Sequence, residues 1–334
     1  VDDSATLRRL LRHALAGDDR IAIVGEARDP YEARDLIRAL RPDVLTLDVD
    51  MPRMSGLAFL ERLMRLHPMP VVMISGETGR GSAAALEALT LGAVDCVGKQ
   101  SCLAGPGLAM LGDRIVAAAQ ARTRRLPVTV AAPPQDFAWN GRIVLIGAST
   151  GGVEALEVLL AGLPANGPPV LITQHMPEAF LARFATRLAP RLAPRLALAE
   201  TGAVLAPGTI WLAPGGATHL VLDPGDPPRC RLKGGATRSG HRPSVDVMFA
   251  SARPLAARMV AVLLSGMGAD GARAMADLRA GGAQCLVQDA ESSVVFGMPR
   301  AALAIGAADR AVPIAAMAGA ILALTGGSGA AAAR

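Results

Sequence analysis

Two successive α/β units, each a doubly wound parallel sheet with helices on its faces, are the fold class this sequence predicts. The first ground is size, because 334 residues exceed what a single hydrophobic core usually serves. The second is alternation: short apolar runs rich in Val, Ile and Leu take turns with amphipathic helical stretches. The third is the interval 118–138, which carries three prolines and little hydrophobic periodicity and reads as a semi-extended linker. The units are therefore expected at 1–117 and 139–334.

In the first unit, strands are expected at "IAIVGEA" (21–27), "VLTLDVDMP" (44–52), "VVMISG" (71–76) and "VDCVGK" (94–99). Helices such as "PYEARDLIRAL" (30–40) separate them. Only Val1 precedes Asp2, so this unit's first strand is expected to be truncated. Functional groups in open α/β sheets collect beyond the carboxyl ends of the strands. Asp2 and Asp3 precede the first helix, Asp48 ends one strand, Ser75 ends another, and Lys99 follows a third. Carboxylates converging at one edge repel one another unless a divalent cation neutralises them, and an all-oxygen ligand set favours Mg²⁺. A carboxylate beside Mg²⁺, with a lysine and a hydroxyl nearby, is equipped to accept a phosphoryl group.

The second unit opens on "RIVLIGASTGGVEALEVLL" (142–160), a buried strand that breaks into glycines and resumes at helical spacing, with Val153, Leu156, Leu159 and Leu160 on one face. Gly147-Ala148-Ser149-Thr150-Gly151 fits the G-x-S-x-G pattern that presents a nucleophilic serine between strand and helix. A phosphate loop is the rival reading, but neither G-x-G-x-x-G nor a P-loop Lys-Ser/Thr pair is present. A serine nucleophile needs a base. His13 and His67 belong to the first unit, leaving His175, His219 and His241. His175 ends the apolar run "PPVLITQH" and is expected at a strand's carboxyl end beside the serine, within reach of its hydroxyl. In "VAVLLSGMGADGARAMADL" (260–278) the strand–glycine turn–helix design recurs, with Asp270 leading into the helix; Asp246 and Asp289 are its rivals as the acid that orients the base. The chain order Ser…His…Asp differs from the Ser…Asp…His order of α/β-hydrolases. The uncharged stretch 311–333 is expected to form a strand and an Ala-rich helix, since its apolar part is too short to span a bilayer.

Net charge is +5, and its distribution is uneven. Residues 1–139 hold 17 basic and 17 acidic side chains, whereas 140–334 hold 17 and 12. Aromatics are only 3% and no Lys/Arg run occurs, which argues against nucleic acid and for an acidic protein partner. The four cysteines, Cys96, Cys102, Cys230 and Cys285, lack zinc spacing and read as small hydrophobes in a reducing compartment. With no signal peptide visible, although the chain starts at Val1, a soluble cytoplasmic protein that is not membrane-inserted is expected.

The segments "VDDS", "LTLDVDMPRMSGL", "MISGE" and "VGK" resemble the receiver domain of two-component response regulators, a flavodoxin-like fold. The resemblance implies Asp48 as phospho-acceptor, with Mg²⁺ held by Asp2, Asp3, Asp48 and the backbone carbonyl of Asp50. It also implies Ser75 and Lys99 as the switch hydroxyl and the phosphate-sensing lysine. Two positions depart from the pattern: Gln100 replaces the proline that usually follows the lysine, and Cys96 replaces the switch aromatic. A non-proline cis peptide costs about 3 kcal/mol, so a trans or distorted turn is expected after Lys99.

In the second unit "IGASTGG", "ITQHMP", "HRPSVDVMF" and "LLSGMGADGA" occur in order and resemble the catalytic domain of the CheB family, the chemotaxis protein-glutamate methylesterases. The resemblance implies a phosphorylation-activated serine hydrolase with no cofactor in its esterase domain. Ser149 would be nucleophile, His175 base and Asp270 its orienter. The substrates would be methyl-accepting chemotaxis receptors, the phosphodonor a CheA-type histidine kinase, and glutamine deamidation an accompanying activity. The backbone N–H groups of Thr150 and Met267 are the candidate oxyanion donors. Two alternatives share these residues: the same ester chemistry on another signalling protein, or a non-catalytic binding module. Retention of all three triad residues favours the enzyme.

Overall fold

The computed structural model describes residues 1–76, 79–99, 106–121, 132, 134 and 136–327. Its contacts divide the chain into two compact units, Val1–Arg125 and Leu126–Arg334.

In the first unit, helix α1 (Ala5–Leu15) is capped by the Ser4 hydroxyl, which accepts from Leu7 N–H, and it buries Leu7, Leu11 and Leu15 at helical spacing. Helix α2 (Pro30–Leu40) starts on Asp29, whose carboxylate accepts from the N–H groups of Tyr31 and Glu32. Then come strand β1 (Leu45–Asp48), α3 (Gly56–Leu66), β2 (Val71–Ser75), α4 (Gly79–Leu91), β3 (Asp95–Gly98) and α5 (Pro106–Ala119). The three strands form a parallel sheet in the order β1-β2-β3. Register sets Asp48 opposite Ile74 and Ser75 opposite Gly98, so Asp48, Ser75 and Lys99 share one sheet edge.

One expected strand does not form. Residues 21–27 join no ladder, with Ile23 and Val24 38% and 54% exposed. A strand needs a neighbour along its length. Here Asp2 N–H donates to Ala27 O, while Val1 lies against Thr46 and Asp48, and among the described residues these contacts build no ladder. The turn after Lys99 lies outside the described residues, as do Gln100 and Cys102. The other three cysteines are free and buried, and burial pushes the Cys230 and Cys285 thiols up to about 12.

The second unit is built on a seven-stranded, all-parallel sheet in the order β12-β11-β10-β4-β5-β7-β6. Its strands are β4 (Ile143–Ala148), β5 (Val170–Gln174), β6 (Arg195–Leu198), β7 (Thr209–Leu212), β10 (Met259–Leu263), β11 (Gln284–Gln288) and β12 (Arg310–Val312). Central strands β4, β5 and β10 are buried at every position, as their unbroken apolar runs require when helices cover both faces. Flanking helices are α6 (Gly152–Ala161), α7 (Glu178–Leu188), α8 (Val245–Ser251), α9 (Ala272–Ala280), α10 (Met298–Ala304) and α11 (Ile314–Thr325). A separate antiparallel hairpin pairs β8 (Thr218–Asp223) with β9 (Arg229–Gly234).

From β4 the chain moves outward through β5 to β7 and β6, then returns to build β10, β11 and β12 on the other side. The direction of winding reverses between β4 and β10, and such a switch point opens a crevice at the carboxyl ends of its strands. Phe137 and Ala138 fold with this unit: Asn166 donates to Phe137 O at 2.8 Å and Gly327 N–H to Ala138 O at 2.7 Å. No helix among the described residues is long and apolar enough to cross a membrane.

Candidate active site

Ser149 follows β4 at the switch point. Its N–H donates to Ser265 O at 3.0 Å, and its carbonyl accepts from Gly152 N–H at 2.7 Å and Gln174 Nε2 at 2.9 Å. The serine backbone is thus held by its own helix, by β5 and by the turn after β10. Gly151 has φ +75, and a Cβ there would fall 2.5 Å from Val294 Cβ, so the turn requires glycine on conformation and on space. Across the crevice, a Cβ on Gly266 would lie 2.8 Å from Ser149 Cβ. That close approach sets the Gly266-Met267 backbone against the serine. Thr150 is buried at the start of α6, and Met267 is partly exposed in the facing turn.

His175 directly follows β5, its N–H donating to Ala148 O at 3.0 Å, so strand register alone brings it beside Ser149. Its Nε2 lies 2.8 Å from Asp270 Oδ2, with both side chains almost wholly buried. Its Nδ1 is buried without a hydrogen-bond partner, and the Ser149 hydroxyl makes no hydrogen bond among the described residues. A carboxylate at Nε2 selects the tautomer that carries its proton there, which leaves the Nδ1 lone pair to act as base.

Asp270 is held by four donors. Oδ2 accepts from His175 Nε2 and from Val245 N–H at 2.7 Å, while Oδ1 accepts from Ser244 Oγ at 2.9 Å and Asp246 N–H at 3.1 Å. Burial alone would raise its pKa, but the hydrogen bond and charge of His175, with the backbone donors, hold it at about 2. The carboxylate does not cap its own helix, which starts on Gly271; it caps the neighbouring helix α8 from across the crevice. Ser244 is the N-cap of α8, a residue whose type and position before Val245 could have signalled a helix start.

The rival residues have other tasks. His219 Nδ1 accepts from Ser244 N–H at 3.1 Å, and its Nε2 meets Ala236 O at 3.0 Å, so it props the loop that carries Ser244. The His241 ring stacks on His175 at 3.7 Å with 6° between planes, a contact that sequence reasoning missed. Asp246 accepts from Ala274 N–H at 3.2 Å, and Asp289 caps the 289–292 turn through Ser292 N–H at 3.0 Å. Gln174 and Ser265 were also missed, though both bond the serine turn: Ser265 Oγ donates to Thr150 O at 2.8 Å.

In the first unit, oxygens of Asp2, Asp3 and Asp48 lie within 4.8 Å of one another. Lys99 Nζ reaches Asp48 Oδ2 at 2.8 Å and Asp2 Oδ2 at 3.5 Å. Burial and the Asp2 charge raise the Asp48 pKa against the opposing pull of Lys99. Asp48 Oδ1 is buried with no hydrogen-bond partner. Three convergent carboxylates with an orphaned oxygen fit a hard divalent cation such as Mg²⁺. The exposed Asp50 lies two residues beyond Asp48, and the Ser75 hydroxyl is buried one strand away, donating to Gly76 O at 3.3 Å. Asp48 approaches the next helix closely: a Cβ on Gly56 would fall 1.8 Å from Asp48 O.

Residues 144–321 match the family model described as CheB methylesterase, and residues 1–104 match the response regulator receiver domain. The protein-glutamate methylesterase/protein-glutamine glutaminase 1 of Caulobacter vibrioides is 49% identical over 329 residues, covering 96% of this chain and 96% of its own. The Rhizobium etli protein-glutamate methylesterase/protein-glutamine glutaminase is 48% identical, with 97% and 95% covered. The crystal structure of the Thermotoga maritima CheB methylesterase catalytic domain aligns with a TM-score of 0.54 at 33% identity, over 56% of this chain and 100% of that one. With a serine turn, a buried His–Asp pair and a receiver-like acid pocket on one chain, and near-complete alignment to such relatives, this protein belongs to the CheB methylesterase family, joined to a response regulator receiver domain.

Proposed function

We propose that the chain is a phosphorylation-activated protein-glutamate methylesterase and protein-glutamine glutaminase, acting in the cytoplasm on chemotaxis receptors. The observation that carries the reading is the His175–Asp270 pair, with Nε2 committed to the carboxylate, Nδ1 unbonded, and His175 at the strand end next to that of Ser149. In the reaction, Ser149 Oγ attacks the ester carbonyl of a methylated glutamate side chain while His175 Nδ1 takes the hydroxyl proton. Asp270 stabilises the imidazolium that forms. The tetrahedral oxyanion is met by the N–H groups of Thr150 and Met267. Collapse expels methanol, which takes its proton from His175, and leaves a glutamyl ester on Ser149. Water, deprotonated by His175, then releases the glutamate and restores the serine. A glutamine side chain takes the same course with ammonia as leaving group, and the steps draw on side-chain and backbone groups of this chain and on water.

In the receiver, Asp48 accepts the phosphoryl group from a CheA-type histidine kinase. The carboxylates of Asp2, Asp3 and Asp48 and the carbonyl of Asp50 would hold Mg²⁺, which would supply neutralising charge to the transferring phosphoryl oxygens. Lys99 is the second cation at that position and Ser75 the hydroxyl that senses the product. The test is methanol release from methylated receptor membranes, with and without a small-molecule phosphodonor. Release that a phosphodonor accelerates supports the reading, and no release from the purified full-length protein rejects it.

A further inference from the structure

A groove between α8, α9 and the β8–β9 hairpin takes no part in the chemistry above. Its volume is about 590 Å³, room for several side chains of a bound polypeptide. Its walls carry Arg231 and Lys233 from β9, Arg238 from the loop after it, and Arg273 from α9, together with Asp246 and Asp277. Arg231 and Lys233 are two residues apart on one strand and therefore project from the same face. None of these four cations is ion-paired among the described residues. The two acids are already engaged: Asp246 accepts from Ala274 N–H at 3.2 Å, and Asp277 faces Arg253 at 3.7 Å.

Four cations against two carboxylates leave this concavity net positive and favour an anionic occupant. The basic excess of residues 140–334, 17 against 12, points the same way. No aromatic residue lines the groove, so it offers no platform on which bases would stack. One wall, α8, begins with the three residues that bond Asp270, so the groove lies one helix away from the His–Asp pair.

We propose that this groove is a docking site for an acidic stretch of the polypeptide substrate, whose carboxylates pair with Arg231, Lys233, Arg238 and Arg273. The assignment rests on the esterase reading. It also has a consequence for that reaction: each turnover converts a neutral ester or amide into a carboxylate, so a processed segment becomes a better partner for the groove. Docking would then hold the substrate chain between successive hydrolyses.

The test uses full-length protein carrying Ser149→Ala, so that binding is read without turnover. A fluorescent peptide of alternating Glu and Ala, and its Gln counterpart, are titrated by anisotropy at low salt. The acidic peptide is expected to bind and the Gln peptide to bind at least several-fold more weakly. Combining Arg231→Gln, Lys233→Gln and Arg273→Gln should weaken the acidic peptide about tenfold, since each exposed pair contributes a factor of about two. Arg231→Lys with Arg273→Lys should retain binding, which separates charge from folding. A control that removes the same charge elsewhere, Arg191→Gln with Arg300→Gln and Arg310→Gln, should change it less than twofold.

Equal weakening by the control triple would reduce the effect to net charge and overturn the site, as would unchanged affinity in the groove triple. A single-stranded oligonucleotide that binds the groove more tightly than the peptide would overturn the polypeptide assignment. The two readings fail separately. Absence of methanol release from the parent defeats the esterase, whereas release combined with groove-independent peptide binding defeats only the docking site.

Discussion

Replacing Asp270 by Asn tests how the base is held, and the surrounding donors determine the outcome. The carboxylate accepts two bonds at each oxygen: His175 Nε2 and Val245 N–H at Oδ2, Ser244 Oγ and Asp246 N–H at Oδ1. An amide keeps one acceptor and gains a donor. With its oxygen at the Oδ2 position, the His175 and Val245 bonds survive, the Ser244 hydroxyl turns to accept, and only Asp246 N–H loses its partner. With its oxygen at the Oδ1 position, Val245 N–H is orphaned and His175 must also move its proton. The first orientation therefore wins, and the histidine keeps its tautomer. In the serine-protease template the same change reverses the tautomer and lowers kcat by about 10⁴. Here the loss is that of a charge-assisted bond to the imidazolium, about 2–3 kcal/mol, or about 30–160-fold in kcat. One unpaired buried N–H should also lower stability by about 1–3 kcal/mol. The folded carboxyl sits at about 2 rather than 3.8, so its stabilisation, about 2 kcal/mol, is full above pH 4 and fades as pH falls through 2. The variant should lack that part of the acid transition. Methanol release under saturating substrate gives kcat, and thermal melts from pH 2 to 7 give the stability. A loss near 10⁴ would refute the orientation argument, and a loss below threefold would refute any role for the Asp270 charge.

The remaining expectations rest on single contacts. Ser149→Ala should abolish methanol release with little change in melting temperature, since the hydroxyl makes no hydrogen bond among the described residues; nucleophile removal costs about 10⁶, and retention of a hundredth of the rate would exclude it as nucleophile. Gly266→Ala sets a methyl 2.8 Å from Ser149 Cβ, and a displacement of the serine should lower kcat about 10²-fold; normal kcat would mean that the turn yields elsewhere. Mg²⁺ at ten times its dissociation constant should stabilise the first unit by about 1.4 kcal/mol, seen as a raised melting midpoint that Asp48→Asn diminishes; identical shifts in both proteins would place the cation elsewhere. Residues 136–334 alone should hydrolyse receptor esters faster than unphosphorylated full-length protein, because a tethered receiver competes at high local concentration; equal rates would leave the receiver no inhibitory part.

Much of the fold was legible because a parallel sheet covered on both faces writes itself as unbroken apolar runs, as in 143–148, 170–174 and 259–263. The meeting of Ser149, His175 and Asp270 in one crevice was legible for the same reason: each lies in a turn that follows such a run, and parallel strands of one sheet deliver their carboxyl-terminal turns to a single edge. The expected strand at 21–27 did not form because a ladder is a property of two strands, and the pattern of one segment carries no record of its pairing. The support of Asp270 was hidden differently. Ser244, Val245 and Asp246 reach it across 24–26 positions of sequence, two of the three through backbone groups that every residue type offers. His241 was visible as a histidine, but ring stacking on His175 depends on a tertiary meeting that no local pattern encodes.

The two buried aspartates that matter most show how surroundings assign opposite tasks to one side chain. Both sit at the end of a parallel strand or in the turn that follows one, and burial by itself pushes each carboxyl upward. At Asp270 four donors converge, and one is the base itself, so the anion is locked and held at about 2. Its oxygens are fully occupied, which suits an orienting charge and disqualifies a nucleophile. At Asp48 the carboxylates of Asp2 and Asp3 are close, Lys99 is the cation paired with it, one oxygen has no hydrogen-bond partner, and the carboxyl is raised instead. A carboxylate left under-satisfied in this way has a lone pair to offer and gains when a cation arrives. Satisfaction of hydrogen bonds, more than burial, therefore separates the group proposed to hold a base in place from the group proposed to take up a phosphoryl.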